Sequence, residues 1–303
     1  MAILTPARGV ALGVAALIAG AAFFGLTRPD PLPPATQEAL AALEGDAEAG
    51  EAVFWAAGCA SCHAAPGARG DDRLVLAGGR RFETEFGVFV APNISTDPDH
   101  GIGGWTLAEF ANAMMAGVSP DGQHYYPAFP YSSYRMAELQ DIADLEAFMG
   151  GLPASDRASE PHELGFPYGL RRGVGLWKRL ALEDGWAVTG DLTEEEARGR
   201  YLAEALAHCA ECHTPRDRFG RLDRDRWLAG APNPSGSGRI PGITPATLDW
   251  SEGEIAGYLA SGFTPSFDSA GGTMAAVVAS LGELPREDLD AIAAYLARVP
   301  PVD

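Results

Sequence analysis

The chain has 303 residues, with 41 Asp or Glu against 22 Lys or Arg, so its formal net charge is −19. Hydrophobic residues make up 47% of the chain and charged residues 21%, which is typical of folded proteins and leaves room for about two domains. The acidic excess argues against nucleic-acid binding, which needs a basic face for phosphates, and four cysteines are too few for a disulfide-dense secreted scaffold.

The N-terminus contains an uncharged stretch, Gly9–Thr27, between Arg8 and Arg28. As a helix it would be about 28 Å long, close to the ~30 Å hydrocarbon core of a bilayer. A cleaved signal peptide is the alternative, because Ala19-Gly20-Ala21 offers a small-residue cleavage site. The apolar run continues past that site, which favours a retained anchor with Arg8 on the cytoplasmic side. Under either interpretation the rest of the chain is exported. A retained anchor would hold it on the periplasmic side of a bacterial inner membrane.

All four cysteines fall in two copies of the motif C-x-x-C-H, which is the attachment pattern of c-type haem. Two thiols add to the two haem vinyl groups, and the two intervening residues set the sulfurs one helical turn apart. The next histidine then faces the iron as its proximal ligand. The sequence therefore predicts two covalently bound haem c groups, attached through Cys59, Cys62, Cys209 and Cys212 and ligated by His63 and His213.

Two alternatives would use the same cysteines. Two C-x-x-C pairs can form a four-thiolate zinc site, but here the pairs lie far apart and each carries an adjacent histidine. Two C-x-x-C disulfides, structural or thioredoxin-like, are also disfavoured, because no βαβ pattern surrounds either motif.

The chain repeats itself with a period near 150 residues, as a duplicated domain does. The haem motifs recur, Trp105-Thr106-Leu107-Ala108-Glu109 matches Trp250-Ser251-Glu252-Gly253-Glu254, and Gly117 matches Gly262. Each copy is predicted to run from a short helix and a haem motif through a long loop and a W-[ST]-x-x-E helix to a final helix.

The helices outside those motifs are read from their periodicity. They are predicted at Ala47–Ala57, Asp141–Gly150, Glu194–Ala207 and Arg286–Arg298. Thr193 is the predicted N-cap of the third of these, with Glu196 completing a capping box. Few segments show strand-like alternation, so the predicted fold class is all-α. The predicted segments are an anchor or signal peptide (1–28), a stiff Pro-rich linker that lifts the domains off the membrane (29–44), a first haem domain (45–153), an interdomain linker (154–190) and a second haem domain (191–303).

The interdomain linker carries a basic cluster, Arg171, Arg172 and Lys178, together with Trp177. It is predicted to be partly ordered and to pack over the domain interface. The cluster either faces haem propionates or forms a solvated face.

The iron of a c-type haem also needs a distal ligand, usually Met or His. From Gly151 onward the chain contains a single methionine, Met274, which lies between the helix after Trp250 and the final helix. A class I cytochrome presents its distal methionine there, so Met274 is the predicted ligand of the second haem. An ordinary core methionine is the alternative.

The first copy offers several methionines, and the repeat discriminates among them. Met114, Met115 and Met149 match Leu259, Ala260 and Leu296, so they are predicted as core or surface residues. Met136, just before the final helix, remains as the predicted distal ligand of the first haem. His124 is the rival ligand in this copy, whereas His208 directly precedes Cys209 in a predicted helix and is badly placed to cross the haem plane.

Several further strings resemble one family, the cytochrome c subunits of periplasmic membrane-bound alcohol, sorbitol and gluconate dehydrogenases. They are Pro92-Asn93-Ile94-Ser95, Gly101-Ile102-Gly103-Gly104-Trp105, Tyr126-Pro127-Ala128-Phe129-Pro130-Tyr131, and Cys212-His213-Thr214-Pro215-Arg216. The resemblance covers roughly residues 45–300, and the second pair of strings is fairly specific.

The resemblance supports two tandem class I cytochrome c domains. With the apolar stretch at the N-terminus, the predicted architecture is these two domains behind an N-terminal membrane helix. The resemblance also implies an electron relay that takes electrons from a quinoprotein or flavoprotein dehydrogenase. The family's distal methionines fall at Met136 and Met274, and Arg216 resembles its arginine beside the second haem, a propionate partner through bidentate hydrogen bonds. The family usually carries three haem domains, whereas this chain shows two, so a relay to a soluble cytochrome or a terminal oxidase fits better than direct reduction of quinone.

Electron transfer without substrate chemistry is thus the leading hypothesis. A diheme enzyme is the alternative: a peroxidase would need an open distal position, and a thiosulfate dehydrogenase would need a distal cysteine, which this chain does not have to spare. A membrane-tethered carrier without a dedicated dehydrogenase is the third. Residues 30–150 hold 18 acidic and 5 basic residues and residues 151–303 hold 23 and 15, so a basic redox partner is expected to prefer the first domain.

Overall fold

The computed structural model describes residues 6–234, 236 and 238–303, with side chains from residue 10 onward. Its first helix, α1 (Pro6–Leu26), has no charged residue from Val10 to Leu26 and is exposed at each of these positions. In the described part of the chain, no helix combines the length and hydropathy that a membrane crossing requires. The anchor over residues 9–27 stays a prediction.

The remaining elements fall into two series with the same order, as the repeat predicts. The helices up to the linker are α2 (Pro34–Ala41), α3 (Ala47–Ala56), α4 (Cys59–His63), α5 (Leu107–Ala111), α6 (Tyr131–Tyr134) and α7 (Leu139–Gly150). After the linker helix α8 (Val174–Ala181) come α9 (Glu194–Arg200), α10 (Ala210–His213), α11 (Glu252–Ser261), α12 (Met274–Leu281) and α13 (Arg286–Arg298). Residues 47–150 are called the first repeat below, and residues 194–298 the second.

Helices dominate, but the structure adds small sheets that the all-α prediction lacks. β1 (Arg81–Thr84), β2 (Gly87–Val90) and β3 (Glu163–Leu164) form an antiparallel sheet in the order β1-β2-β3, and β4 (Ala231–Pro232) pairs with β5 (Arg239–Ile240). Short strands with two or four residues are too brief to show an alternating pattern in sequence. π-helical turns extend α5 over Asn112–Ala116 and α9 over Tyr201–Leu206.

Each repeat is built on a crossing between its first and last helices, α3 with α7 and α9 with α13. A glycine makes each crossing tight: a Cβ on Gly50 would collide with the carbonyl of Asp144, and a Cβ on Gly199 with the carbonyl of Ala291. The two backbones can approach this closely only where there is no side chain. The same device therefore positions the helix in front of each C-x-x-C-H motif.

The W-[ST]-x-x-E strings are helix N-termini. Thr106 and Ser251 each accept a hydrogen bond from the backbone of the glutamate three residues on, and that glutamate bonds back to complete a capping box. Both helical segments then end at a left-handed glycine, Gly117 or Gly262. The predicted capping box of Thr193 with Glu196 is also present, so this part of the sequence analysis is confirmed.

Both segments predicted as linkers contact the first repeat. The sequence analysis expected such packing of the interdomain linker but described residues 29–44 as a stiff spacer. Leu40 of α2 is fully buried, and the backbone N–H of Leu32 donates to Asn112 Oδ1 at 2.7 Å. Further on, the side-chain amide of Asn93 donates to the carbonyls of Ser155 and Arg157, each at 2.8 Å. Both segments pack on the first repeat because they carry apolar and hydrogen-bonding partners for its loops.

The basic cluster of the linker is engaged by backbone carbonyls. Lys178 Nζ donates to the carbonyls of Ala116 and Gly117 at 2.6 and 2.8 Å, and Arg171 lies over the ring of Tyr126. Arg172 donates to the carbonyl of Phe24 at the end of α1. These contacts differ from the fully solvated face that was one of the two alternatives from the sequence, and the contact with haem propionates stays a prediction.

The two repeats share one continuous apolar core and several specific contacts. Helix α12 of the second repeat packs on α4 of the first, where Ser61 Oγ donates to the carbonyl of Ala276 at 2.9 Å and lies 2.9 Å from Ser280 Oγ. Nearby, Arg73 pairs with Glu283. The first C-x-x-C-H motif is therefore covered by a helix from the other half of the chain.

Candidate haem sites

The first motif begins at a sharp bend between two helices. Gly58, in the left-handed region with φ of 66°, separates α3 from α4, so that α4 starts at Cys59 and ends at His63. His63 is half-buried, and its Nδ1 lies 2.9 Å from the carbonyl oxygen of Pro92. With Nδ1–H donating to that carbonyl, Nε2 is the nitrogen left to ligate a metal.

The second motif reproduces this arrangement. His213 is buried, and its Nδ1 lies 2.8 Å from the carbonyl oxygen of Pro241. His208 occupies the bend with φ of 43°, where the first repeat has a glycine. The residue is therefore in a left-handed junction and not in a helix, which corrects the sequence interpretation of its surroundings.

The backbone around each histidine is also duplicated. The carbonyl of His63 accepts from the N–H of Gly78, and that of His213 from the N–H of Gly230, each at 2.7 Å. The segments that contain Pro92 and Pro241 also bond to buried leucines. The N–H of Ile94 donates to the carbonyl of Leu76, and the N–H of Ile243 donates to the carbonyl of Leu228. Main-chain bonds thus fix both imidazoles in one orientation.

The protonation states suit ligation of iron. Burial lowers the pKa of His63 and of His213, more than the bond to the proline carbonyl raises it, so both rings are neutral near pH 7. Burial raises the pKa of Cys59 and of Cys209 to about 12, which keeps these sulfurs as thiols. The donor set of each motif, two thiols and a neutral oriented imidazole on one helical turn, fits a covalently attached haem.

The alternatives for the cysteines find no support in the geometry. Neither motif forms a disulfide. Among the described residues, no three His, Cys, Asp or Glu side chains come together as a metal site.

The predicted distal methionines lie before the final helix of each repeat but not at equivalent places. Met136 follows α6 and comes three residues before α7. Met274 is the first residue of α12, so the rest of α12 lies between it and α13. Both side chains are half-buried against the core. Met114 and Met149 are buried in the core.

The other candidate ligands have different partners. His124 is buried, and its Nε2 lies 3.0 Å from the carbonyl of Thr27 at the end of α1. The ring of His208 lies 5.7 Å from that of Tyr134, whose hydroxyl donates to the carbonyl of Ala57 at 2.7 Å. His208 therefore belongs to the contact between the repeats.

Two arginines lie beside the motifs. Arg216 pairs with Glu211, inside the second motif, and also donates to the carbonyl of Gly220 at 3.0 Å. Arg80 donates to the carbonyl of Ser61 in the first motif, and its charge favours the thiolate of Cys62, although burial raises the pKa of that thiol overall. Sequence reasoning named Arg216 and missed Arg80.

Sequence reasoning named Pro92 only within a family string, did not name Pro241, and missed the role of both residues. The available signal was a repeated Pro-x-Ile, Pro92-Asn93-Ile94 and Pro241-Gly242-Ile243, at nearly the same distance after each motif. A carbonyl that orients a ligating histidine leaves no side-chain signature, so the residue type alone did not reveal the role.

Comparison with known proteins agrees with this geometry. The cytochrome c family model matches residues 47–153. A diheme cytochrome c-type protein of Cereibacter sphaeroides is 60% identical over 98% of this chain and 99% of its own length. The fructose dehydrogenase cytochrome subunit of Gluconobacter japonicus is 38% identical over 81% of this chain, and the gluconate 2-dehydrogenase cytochrome c subunit of Pantoea cypripedii is 32% identical over 82%.

The chain spans 51% of the fructose dehydrogenase subunit and 58% of the gluconate dehydrogenase subunit. These matches confirm the resemblance inferred from the motif strings. With the duplicated Cys-Cys-His arrangement and a relative that matches along almost its whole length, the chain belongs to the diheme c-type cytochromes.

Proposed function

We propose that this protein is a periplasmic electron relay built from two tandem class I cytochrome c domains. It accepts electrons from a dehydrogenase and passes them to a downstream cytochrome, oxidase or quinone. The observation that carries the proposal is the pair of histidines whose Nδ1 atoms are fixed on Pro92 and Pro241. The names of the dehydrogenase cytochrome subunits among the relatives support the choice of donor.

Each repeat would hold one haem c. Cys59 and Cys62 would carry the first and Cys209 and Cys212 the second, with His63 and His213 as proximal and Met136 and Met274 as distal ligands. Haem iron supplies a reversible one-electron change, and Met/His ligation raises its potential. This chain's residues orient the imidazoles, exclude water and set the surrounding charge; they carry out no substrate chemistry, so the protein is an electron carrier and not an enzyme.

We propose that Arg216 holds a propionate of the second haem. It already lies within the turn that follows His213, and its pairing with Glu211 leaves part of the guanidinium exposed. Arg80 is the matching candidate beside the first haem, since it bonds to the carbonyl of Ser61. Arginine suits this role because its fork matches a carboxylate with two parallel hydrogen bonds.

The location and the docking surface follow from charge and from the N-terminus. Export to the periplasm, with residues 9–27 as a retained anchor, is part of the proposal. The greater acidic excess of residues 30–150 favours a basic partner at the first repeat, with salt-sensitive encounter.

A spectroelectrochemical titration of the haem-loaded full chain tests the relay. We expect two low-spin centres with methionine–iron bands, and we expect Met136→Ala and Met274→Ala each to remove one of them. Met149→Leu is the matched control, because Met149 is a buried core residue and its counterpart in the second repeat is Leu296.

A high-spin haem in the unmodified protein, or a centre insensitive to both substitutions, would contradict the ligand assignment. Peroxide and thiosulfate turnover would then be the assays to run, since an open distal position is what a diheme enzyme needs.

A further inference from the structure

A basic and apolar face lies beside the end of α1, on the linker between the repeats. From Leu164 to Leu182 the chain contains four basic residues and no Asp or Glu, in a protein whose net charge is −19. The basic residues are Arg171, Arg172, Lys178 and Arg179. This is an island of positive charge on an acidic molecule.

Large apolar side chains are exposed in the same segment. Phe166 is 88% exposed, Leu170 61% and Leu180 62%, and Tyr168 and Leu176 are also exposed. On α8, Val174 and Gly175 are buried against the first repeat, whereas Leu176 and Leu180, one turn apart, remain exposed. A helix with one face docked and an apolar and basic face left open is the pattern of a helix that lies in a membrane interface. We call the segment 166–180 the linker face.

The linker face is joined to the end of α1 by specific bonds. Arg172 donates to the carbonyl of Phe24 at 2.8 Å and lies over its ring, and Arg179 donates to the carbonyl of Leu26 at 2.6 Å. The last carbonyls of a helix have no partners within the helix, and cations are favourable there.

Thr27, the residue after α1, is also fixed to the first repeat. Thr27 is fully buried, and its carbonyl lies 3.0 Å from His124 Nε2. An apolar helix that is exposed along its length thus leaves the protein at the linker face and nowhere else. Any apolar phase that surrounds α1 therefore also contacts the linker face.

We propose that the linker face docks on the surface of an anionic lipid bilayer and so fixes the orientation of the two repeats above it. The exposed Phe166, Leu170 and Leu180 enter the headgroup region, and Arg171, Arg172 and Arg179 lie opposite the lipid phosphates, whereas Lys178 is bonded to the first repeat. The acidic remainder of the protein is repelled by the same surface. Docking on lipid requires no assumption that α1 crosses the bilayer.

Spin-label accessibility on the haem-loaded full chain tests this proposal. Haem attachment consumes all four native thiols, so a fifth cysteine is the one free site for a label. Leu170→Cys and Leu180→Cys report on the linker face, and Phe267→Cys, at a side chain that is 89% exposed in the second repeat, is the matched control. The probes are vesicles of phosphatidylcholine alone and of phosphatidylcholine mixed with phosphatidylglycerol in equal parts.

On the mixed vesicles, labels at 170 and 180 should gain collisions with oxygen and lose collisions with a water-soluble nickel chelate, while the label at 267 stays unchanged. On phosphatidylcholine alone the effect should be weaker. Arg171→Gln should reduce docking roughly fivefold, since each basic residue near an anionic surface contributes about that factor. Hydrogen exchange of residues 166–182 in the unsubstituted protein, with and without vesicles, covers the case of a labelled variant that fails to fold.

Three results would overturn the proposal. In the first, labels at 170 and 180 stay as accessible to nickel as the label at 267. In the second, they are protected equally on both kinds of vesicle. In the third, they are protected without vesicles as the protein concentration rises, which would make the linker face a contact between two copies of the chain.

Discussion

The two repeats use the same main-chain bonds around the histidine of the C-x-x-C-H motif, yet they differ in the core beneath it. In the first repeat, Phe54 packs on Phe148 with ring centroids 5.2 Å apart. At the matching place in the second, Glu204 is buried and accepts a bond of 2.6 Å from the hydroxyl of Tyr295. An aromatic pair has been exchanged for a carboxyl–phenol pair without moving the proximal histidine.

Glu204 makes further hydrogen bonds in the second repeat, which explains why a carboxyl is tolerated there. It also accepts hydrogen bonds from the backbone N–H groups of Ala187 and Val188, at 2.7 and 3.2 Å. A buried carboxyl is stable only when its oxygens are satisfied. The comparison teaches that the helix crossing and the histidine support are shared by the two repeats, whereas the side-chain core can change if each polar group finds partners.

The largest expected effect concerns the shared crossing. Gly50→Ala and Gly199→Ala should each destabilise their own repeat by about 3 kcal/mol, the upper end of overpacking costs, because a backbone carbonyl cannot move aside as a side chain can. Amide hydrogen exchange of the haem-loaded protein, which resolves the repeats, measures the change. Gly253→Ala is the control, since a Cβ there meets open space and should stabilise α11 by about 0.5–1 kcal/mol. A large cost at one crossing only would show that the crossings are not equivalent.

The next effect separates the repeats. Glu204→Gln should cost the second repeat about 1–3 kcal/mol at low pH, because the amide places an NH2 group, which cannot accept a hydrogen bond, where the neutral carboxyl has a second oxygen facing a donor. Burial raises the pKa of Glu204 above 4.5 despite its hydrogen bonds. The folded state therefore binds the proton of Glu204 more tightly than the unfolded state does. The contribution of this carboxyl to the free energy of unfolding is complete below pH 4.5 and is lost as the pH rises through the raised pKa.

The loss of stability caused by Glu204→Gln should accordingly shrink as the pH rises. Amide hydrogen exchange in α9 and α13 measures it. Exposed Glu287→Gln should leave the pH dependence unchanged. If the cost instead grows with pH, the carboxyl is more acidic when folded, and burial is not its dominant influence.

The smallest effect should be equal in the two repeats. Thr106→Ala and Ser251→Ala each remove an N-cap bond from a capping box and should each cost about 1 kcal/mol. Thr273→Ala is the matched control, because Thr273 precedes α12 but makes no side-chain cap bond. Thermal unfolding of the haem-loaded protein measures all three, and unequal costs at 106 and 251 would mean that the two W-[ST]-x-x-E helices are not alike in stability.

Local features could be predicted from the sequence because their signals are local. The capping box at Thr193 and the haem motif at Cys59 each depend on residues a few positions apart. The resemblance to the dehydrogenase cytochrome subunits was likewise visible in short strings.

Long-range contacts were the part that could not be predicted. Nothing in the linker sequence indicates that Arg172 bonds to the end of α1 or that Lys178 bonds to two carbonyls of the first repeat. The role of Pro92 depends on its backbone and not on its side chain. The places of Met136 and Met274 relative to iron are still predictions.

The cover that α12 places over the first C-x-x-C-H motif has a consequence for dissecting the molecule. Ser61 and Arg73 bond to the carbonyls of Ala276 and Ala279, across the boundary between the halves. Cutting the chain after residue 153 would strip those partners and leave α4 bare on one side. Although the sequence repeats itself as two units in series, the two halves of the folded chain are held together by these bonds.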